Sequence, residues 1–313
     1  MSGPVAIGVD LGGTKMVAGR VTPDGMISDL VIRPRPTNAA AMLIEPFEIV
    51  DSLITPSTVA IGLGVAGLVD SRSGRLAWGP NVPGENLAFG DLAEDRFGLP
   101  VAVDNDANCW ALAEVTVGVA AGFDHVVVLT LGTGIGGGII TNGEVYRGNA
   151  FAGEFGHMVV DPGGLVCTCG NRGCWETLVS GRRLDELARR IVEDEPEGAV
   201  AQLAGGDRAV GRHLLGPALS GDRAAVEAYR LVGDWLGRGL ASLAAVLDPQ
   251  LFVIGGAVAE ADDLVLGPAR IAFLAALEGA GHRPTPTIVK RHLGAAGGAV
   301  GAGLAGHWLV SNP

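Results

Sequence analysis

The chain has 313 residues, of which 48% are hydrophobic and 18% are charged, and this composition is typical of a compact globular protein with room for two domains. Its formal net charge is −12, from 34 acidic against 22 basic residues. Because phosphate backbones and anionic lipids require concentrated Lys and Arg, neither a nucleic acid nor a membrane is an expected partner.

The N-terminus does not resemble a secretion signal. It has no basic segment, and Asp10 interrupts the first apolar run, so a cytoplasmic location with reduced thiols is expected. Residues 293–310 carry no formal charge, but they are mostly Ala and Gly and include His307. This segment predicts a buried packing helix rather than a membrane span.

Apolar runs alternate with helical patterns along the first part of the chain, which predicts an α/β fold. A turn is expected at residues 23–25, where Pro, Asp and Gly follow one another. The predicted elements are strands Val5–Val9, Val17–Val21 and Leu30–Arg33, helix Ala39–Leu53, strands Val59–Val65 and Val101–Val103, and helix Ala107–Val117.

The second part of the chain repeats this pattern of strands joined by a glycine-rich hairpin. Loops are expected at residues 193–206 and 283–286, and a domain boundary near residues 117–122. The predicted elements are strands His125–Leu131 and Gly138–Thr141, helices Arg182–Glu193 and Ala224–Val246, strand Leu251–Ile254, and helix Leu264–Leu277.

One imidazole and three thiols lie close together in sequence, at His157, Cys167, Cys169 and Cys174. A closed set of four nitrogen and sulfur ligands is typical of structural zinc, because no coordination position is left for water. The alternative is a group of buried or disulfide-bonded thiols. A 167–169 bridge would be strained, and either other pairing leaves one thiol over, so the spacing favours metal. Cys109 is distant and is expected in the core.

Two glycine-rich loops follow predicted strands, at residues 10–15 and 131–138, and each offers bare backbone amides and a hydroxyl to phosphoryl oxygens. Neither fits a Walker A loop, since both run on into strands. Residues 62–67 and 132–137 match the dinucleotide fingerprint, but neither match leads into a helix that would point at a pyrophosphate. The loops therefore predict phosphate contact without a nicotinamide site.

Six motifs follow one another along the chain: Asp10-Leu11-Gly12-Gly13-Thr14-Lys15, Asn105-Asp106-Ala107-Asn108, the loop 131–138, Glu154-Phe155-Gly156-His157, the cysteine segment 167–176, and Ile254-Gly255-Gly256. They occur in the order found in ROK-family sugar kinases, and the chain resembles the bacterial glucokinases of that family over nearly its whole length. The zinc segment with its flanking acids is the most specific part of the match.

The resemblance implies two actin-like, ribonuclease H-like domains of the hexokinase-like ATPase superfamily, with an inter-domain cleft. It implies domains at 1–117, completed by a C-terminal helix at about 298–313, and at 118–297 carrying the zinc loop. The implied reaction is ATP-dependent phosphorylation of the 6-hydroxyl of a hexose, most simply glucose, with Mg²⁺ arriving on the nucleotide. Mannose, fructose, N-acetylmannosamine and a polyphosphate donor stay open.

The resemblance also implies roles for the polar residues of the motifs. Asp106 would be the general base, and the zinc would fix the orientation of the loop. For Asn105 and Asp106 the alternative is a helix cap, and for the two glutamates it is an ordinary exposed surface. The implied sugar-binding residues are Asn81, Asn105, Asp106, Glu154, His157 and Glu176, with His157 also a zinc ligand.

For the nucleotide, the resemblance implies Asp10 near Mg²⁺, two loops on the phosphates and a glycine pair beside adenosine. Lys15 has the alternative of a solvated surface residue. The implied residues are Asp10, Gly12, Gly13, Thr14, Lys15, Gly132, Thr133, Gly134, Gly255 and Gly256.

The chain departs from the family pattern at Ala257 and at Glu85, and Cys109-Trp110 is bulkier than the small residues usual there. The family also contains sugar-responsive repressors with an added N-terminal helix-turn-helix, which the start of the first strand at residue 5 and the acidic charge disfavour. A silent sugar-binding scaffold is disfavoured by Asp106 and the phosphate loops. A homodimer or homotetramer is expected, because symmetric assemblies are the commonest.

Overall fold

The computed structural model describes residues 3–79 and 82–312. Within these ranges the strands form two five-stranded sheets and one two-stranded ribbon, and helices follow the strands, so the predicted α/β class is confirmed. The chain packs into two compact units. The first contains the chain up to Val128, Gly137–Gly153 and the chain from Arg291, and the second contains Leu129–Gly136 and Glu154–Lys290.

The first five-stranded sheet lies entirely in the first unit and has the order β3-β2-β1-β4-β7. β1, β2 and β3 are antiparallel, whereas β4 and β7 run parallel to β1. Every residue of β1 is buried, as its continuous apolar run requires of a central strand. These strands are β1 (Val5–Leu11), β2 (Lys15–Val21), β3 (Ile27–Pro34), β4 (Thr58–Val65) and β7 (Val101–Asn105).

The second five-stranded sheet has the order β10-β9-β8-β11-β12, so an antiparallel hairpin at β9-β10 and a parallel pair at β11-β12 occupy matching places. The repeat predicted from the sequence is present in this strand order. The strands are β8 (Val126–Leu131), β9 (Ile135–Thr141), β10 (Glu144–Val145), β11 (Leu251–Gly255) and β12 (Thr287–Lys290), and the ribbon consists of β5 (Leu68–Asp70) and β6 (Arg75–Trp78).

The described helices connect and cover these strands. Short 3₁₀ helices occur at Phe155–His157 and Val258–Ala261. The α-helices are α1 (Ala39–Leu53), α2 (Phe89–Phe97), α3 (Asp106–Val117), α4 (Glu176–Val179), α5 (Gly181–Asp194), α6 (Ala199–Ala204), α7 (Arg212–Leu219), α8 (Arg223–Leu247), α9 (Asp263–Ala276) and α10 (Gly297–Ser311).

Helix α10 packs against α3, β1 and β4 in the first unit, and its residues from Gly297 to Leu304 are buried. A β-carbon on Gly8 or Gly62 would collide with the α10 backbone, at Ala299 O and Ala302 O respectively. The uncharged segment is therefore the buried packing helix that its composition predicts. Nowhere in residues 3–79 and 82–312 is a helix both long enough and apolar enough to span a membrane. The cytoplasmic location stays a prediction.

The predicted loop at residues 193–206 is partly wrong, because it contains the two-turn helix α6. Gly198 and Gly205 flank this helix, and Gly205 ends it with a φ of 60°. The flanking glycines hide a short Ala-rich segment from a pattern-based prediction. The sequence pattern also does not predict α2, α7 and β12, because these elements are too short to show a clear hydrophobic periodicity.

The compact units and the predicted domain limits divide the chain differently. Residues 118–128 and 137–153, placed in the second domain by the prediction, pack in the first unit. Two contacts explain this. Gly138 lies against α3, where a β-carbon would be 2.8 Å from Ala107 O, and Arg147 pairs with Asp104 at 2.7 Å. Because packing units are not themselves folding domains, the limits 1–117 and 118–297 stay a prediction.

Replacing Gly62 with Ala should destabilise the protein by about 1–3 kcal/mol, because the added methyl collides with the α10 backbone. The matched control is Gly294→Ala, since Gly294 leads into α10 but has open space around it. That variant should differ from wild type by about 0.5 kcal/mol or less. Thermal and denaturant unfolding would measure both, and equal stability of the two variants would contradict the packing role of Gly62.

Candidate functional site

The chain reverses from β7 into α3 through a cluster of polar residues. Asn105 Oδ1 accepts hydrogen bonds from Ala107 N at 2.8 Å and Asn108 N at 3.2 Å, and Asn105 Nδ2 donates to Gly67 O at 3.0 Å. Asn105 is therefore the N-cap of α3, the alternative given to it from sequence. A side-chain amide carries a second N–H, so capping leaves a donor for a ligand.

Asp104 supports this turn, although the sequence alone does not predict a role for it. Its Oδ1 accepts from Asn105 N at 2.8 Å and Asn108 Nδ2 at 2.9 Å, while Oδ2 accepts from Arg147 Nε at 2.8 Å. The carboxylate is buried, and Arg147 neutralises it. The feature of the sequence that could have identified Asp104 is an acid at the end of a buried strand, directly before the Asn-Asp pair.

Asp106 is the first residue of α3, and its own backbone turn contributes to its environment. Ala107 N donates to Asp106 Oδ1 at 2.9 Å. Burial raises the pKa of Asp106 to about 6, against the stabilising effect of this backbone donor on the charged form. A carboxyl group with such a pKa can hold or release a proton near neutral pH, as a general base must.

Asp10, near the end of β1, is another buried acid of the first unit. Burial raises its pKa well above the usual range, and the charge of Asp106 raises it further. The Trp110 indole, Lys15 and Arg291 act in the opposite direction. Asp10 Oδ1 is buried and has no hydrogen-bond partner among the described residues. An acceptor in that state fits a cation such as the Mg²⁺ of a nucleotide complex.

The two glycine loops are tight turns at equivalent hairpins. Gly12 N donates to Lys15 O at 3.1 Å between β1 and β2, and Gly132 N donates to Gly134 O at 2.9 Å between β8 and β9. Gly13, Thr14, Lys15 and Thr133 are exposed at these turns. Both loops run into strands as predicted, and each presents a hydroxyl on a short turn.

Gly256 follows β11 with a φ of 91°, and a β-carbon there would collide with the backbone of Leu131. A glycine is needed at this position because the backbones approach so closely. Gly255 is the buried last residue of β11, and Ala257, the departure from the family pattern, is exposed. The extra methyl of Ala257 therefore meets solvent rather than the core.

The predicted metal ligands converge in the second unit. One ligand atom from each of His157, Cys167, Cys169 and Cys174 lies within 4.8 Å of all the others. His157 Nδ1 is 3.7 Å from Cys167 Sγ, and Cys169 Sγ is 3.7 Å from Cys174 Sγ. Burial, together with the neighbouring thiols, raises the pKa of Cys174 to about 12. These residues could hold a metal ion, and the His/Cys₃ donor set is the one that zinc prefers.

The loop that carries the thiols is held by backbone contacts and by one large anchor. Gly173, with a φ of 74°, sits where a β-carbon would collide with Asp161 O. Trp175 is fully buried, and its Nε1 donates to Trp235 O of α8 at 2.9 Å. The residue after the last cysteine therefore fixes the loop to the longest helix of the second unit.

Glu176 begins α4 and is buried, which contradicts an ordinary surface role. Its Oε2 accepts from Ile135 N at 3.0 Å, and it lies against Gly134 so closely that a β-carbon there would collide with it. Glu154 is half-buried and precedes the 3₁₀ helix that carries His157. Asn81, the remaining predicted sugar-binding residue, lies outside the described residues.

The ROK family model matches residues 6–307. The chain belongs to the ROK family. A glucokinase from Streptomyces coelicolor is 39% identical over 304 residues, which are 95% of this chain and 96% of that protein. The resemblance inferred from the motifs is therefore confirmed.

Solved and curated ROK relatives extend this result. The structure of a ROK family glucokinase from Streptomyces griseus in complex with glucose and AMPPNP is 37% identical, with a TM-score of 0.87 over 97% of this chain and 99% of that one. A putative xylose repressor from Caldicellulosiruptor sp. is 37% identical over 66% of this chain and 52% of the repressor. The fold is the two-domain actin-like ATPase fold, and this ROK chain is a hexokinase-type phosphotransferase.

Asp106 should make the stability of the protein depend on pH. Because burial raises its folded-state pKa from 3.8 to about 6, its contribution to stability is present at low pH and lost as pH rises through 6. Asp106→Asn should remove this loss, which amounts to at most about 3 kcal/mol. Unfolding of both proteins between pH 4 and 8 would measure it, with the exposed Asp95→Asn as control. A constant difference across that range would contradict the raised pKa.

Proposed function

We propose that this chain transfers the terminal phosphoryl group of ATP to the 6-hydroxyl of a hexose, and that glucose is the preferred acceptor. The observation that carries the proposal is the Asp106 carboxyl, whose pKa desolvation raises to about 6, at the start of a helix in a ROK-family chain. The relatives named glucokinase, one of them with glucose and AMPPNP bound, support the choice of sugar and donor.

Asp106 would act as the general base. Its carboxylate would orient the attacking hydroxyl and accept its proton as the oxygen bonds to phosphorus, late in a largely dissociative transfer. A pKa of about 6 leaves the group ionised at neutral pH yet basic enough to take the proton. Its position at the first turn of α3, supported by Asn105 and Asp104, would limit its freedom before substrate arrives.

Four further residues would bind sugar hydroxyls, together with Asn81. The second N–H of Asn105 would donate, and the carboxylates of Glu154 and Glu176 would accept. His157 Nδ1 faces the thiols, which supports a donor role for its other ring nitrogen. Glu176 Oε2 is engaged with Ile135 N, so Oε1 is the oxygen that we assign to the sugar.

The two hairpin loops would hold the phosphates through the amides of Gly12, Gly13, Gly132 and Gly134 and through the hydroxyls of their threonines. Lys15 acts on the pKa of Asp10, which supports a charge role for it rather than a purely solvated one. Gly255 and Gly256 would leave room for adenosine. Mg²⁺ bound with the nucleotide would neutralise charge on the phosphate oxygens, and Asp10 Oδ1 is the acceptor that we assign to its shell.

We propose zinc for the group of His157 and the three clustered cysteines. The burial of Cys167 and Cys174, the mutual distances of the four ligand atoms and the raised pKa of Cys174 support this, because a cation is what releases protons from such thiols. The ion would have a structural role: it would fix the ring of His157 and the loop before Glu176, so that less conformational freedom is lost on sugar binding. We further propose that the chain assembles as a homodimer or homotetramer.

Purified protein should release ADP from Mg-ATP when glucose is present. Because Asp106 is the proposed base, Asp106→Ala should lower turnover by about a thousandfold or more while sugar and nucleotide still bind. The measurement is coupled ADP release with glucose, mannose, fructose and N-acetylmannosamine, with Asp106→Ala as the matched blank. Near-normal turnover in the variant would contradict the assignment of the base.

Other outcomes of this assay separate the alternatives. Release with another hexose but little with glucose would change the acceptor and keep the enzyme class. Turnover with polyphosphate alone would change the donor. Glucose binding without any turnover would favour a sugar-responsive regulator, the second candidate, for which the similarity to a xylose repressor is the supporting observation.

Cys169→Ser should release zinc and weaken glucose binding before it unfolds the chain, because one of four ligands is lost from a structural site. The control is Cys109→Ser, at a buried cysteine outside the ligand group. Elemental analysis should find about one zinc per chain in wild type and in the control. Metal-free wild type with full activity would contradict the zinc assignment.

A further inference from the structure

Trp110 lies one turn after Asp106 on α3 and is 7% exposed. Its indole lies close enough to the carboxylate of Asp10 to lower the pKa of that group. The guanidinium of Arg291 stacks over the Trp110 ring, with its carbon 4.4 Å from the ring centroid. A tryptophan in an ordinary apolar core would have neither neighbour, so the surroundings of this ring need an explanation beyond packing.

Two glycines of helix α10 leave the space that the Trp110 ring and the Asp10 carboxylate occupy. A β-carbon on Gly297 would collide with the Trp110 ring, and one on Gly298 would collide with Asp10 Oδ2 and lie 2.8 Å from Trp110 Nε1. Any side chain at either glycine would therefore displace the indole or the carboxylate. The bulky residue at 110 and the two glycines of α10 fit together as one unit.

We propose that Trp110 is a positioning residue for phosphoryl transfer, whose indole N–H holds one oxygen of Asp10 so that the other is presented to the metal–nucleotide complex. The proposal rests on the proposed function, through the role assigned to Asp10. Asp10 Oδ2 and the indole nitrogen both border the space that a β-carbon on Gly298 would fill, and Oδ1 is the buried oxygen without a partner among the described residues. In this proposal the indole holds one oxygen of Asp10, and the other oxygen faces the metal–nucleotide complex.

The geometry gives the indole a specific advantage over a smaller residue. A carboxylate at the end of a strand can rotate about its terminal bond, and a single fixed donor on one oxygen removes that freedom. The Arg291 stack fixes the plane of the donor in turn, and the charge of Arg291 favours the ionised carboxylate. Trp110 acts through Asp10 and is not assigned any contact with substrate.

Trp110→Phe removes the N–H and keeps most of the ring. The affinity for Mg²⁺ with AMPPNP, measured by calorimetry, should fall about tenfold, the size expected for one hydrogen bond to a charged group. The KM for Mg-ATP should rise or kcat should fall by a similar factor, while glucose affinity stays unchanged. The control is Trp308→Phe on α10, since Trp308 is 63% exposed and should behave as wild type.

A spectroscopic readout tests the contact without any turnover. The chain has 5 Trp, so ¹⁵N-indole spectra contain few signals, and Trp110→Phe identifies the one from Trp110. Asp10→Asn should move that signal, and Mg²⁺ with AMPPNP should move it in wild type. If Trp110→Phe does not fold, Gly298→Ala provides a second test, because its methyl displaces Asp10 Oδ2 and should weaken the same binding.

Normal Mg-AMPPNP affinity and normal kinetics in folded Trp110→Phe would overturn the proposal, as would an indole signal indifferent to Asp10→Asn. Neither result would affect glucose-dependent ADP release by wild type, so the proposed function would stand. Conversely, a wild type that binds Mg-AMPPNP in a Trp110-dependent way but phosphorylates no hexose would support the positioning role and contradict the proposed function.

Discussion

The cost of burying carboxylates is the constraint on which the first unit depends. Asp10 and Asp104 are buried and Asp106 is half-buried, at the ends of β1 and β7 and at the start of α3. Charged groups withdrawn from water must be paired, hydrogen-bonded or protonated. The structure uses a different solution for each: Arg147 pairs with Asp104, burial raises the pKa of Asp10 well above its usual range, and Asp106 has a pKa of about 6.

Most of the architecture follows from local pattern. Helix α1 begins and ends where its pattern predicts, at Ala39 and Leu53, because Asn38 caps it and an apolar face repeats along it. The hairpins follow from glycine turns between buried strands. The pattern does not predict α6 and β12. Two helical turns or four strand residues are too short for their hydrophobic periodicity to distinguish them from a loop. Long-range packing, such as that of Gly138 on α3, has no local signal at all.

The site was predictable to the extent that its residues lie in compact motifs. The four zinc-ligand candidates are close in sequence, and the structure brings them together. The partners of the buried acids, in contrast, are distant from them in sequence. Arg147 follows Asp104 by 43 residues, and Arg291 reaches Trp110 from near the C-terminus. Such pairs come into contact only in the folded chain. A single sequence therefore predicts the acids but not the groups that stabilise their charges. The bulk of Trp110 is visible in the sequence, but the space for it is left by Gly297 and Gly298 of a helix that is distant in sequence.

In the second unit a single carboxylate joins two motifs that look independent in sequence. Glu176 follows directly after the anchored Trp175 of the cysteine loop, and its Oε2 accepts from Ile135 N beside Gly134. Gly181 N, at the start of α5, donates to Gly132 O of the same hairpin. A displacement of the cysteine loop would therefore be transmitted through Glu176 to the glycine loop. If a metal sets the position of the cysteine loop, it also sets the position of the glycine loop, and would thereby influence the phosphate and sugar binding that we propose for these loops without touching either ligand.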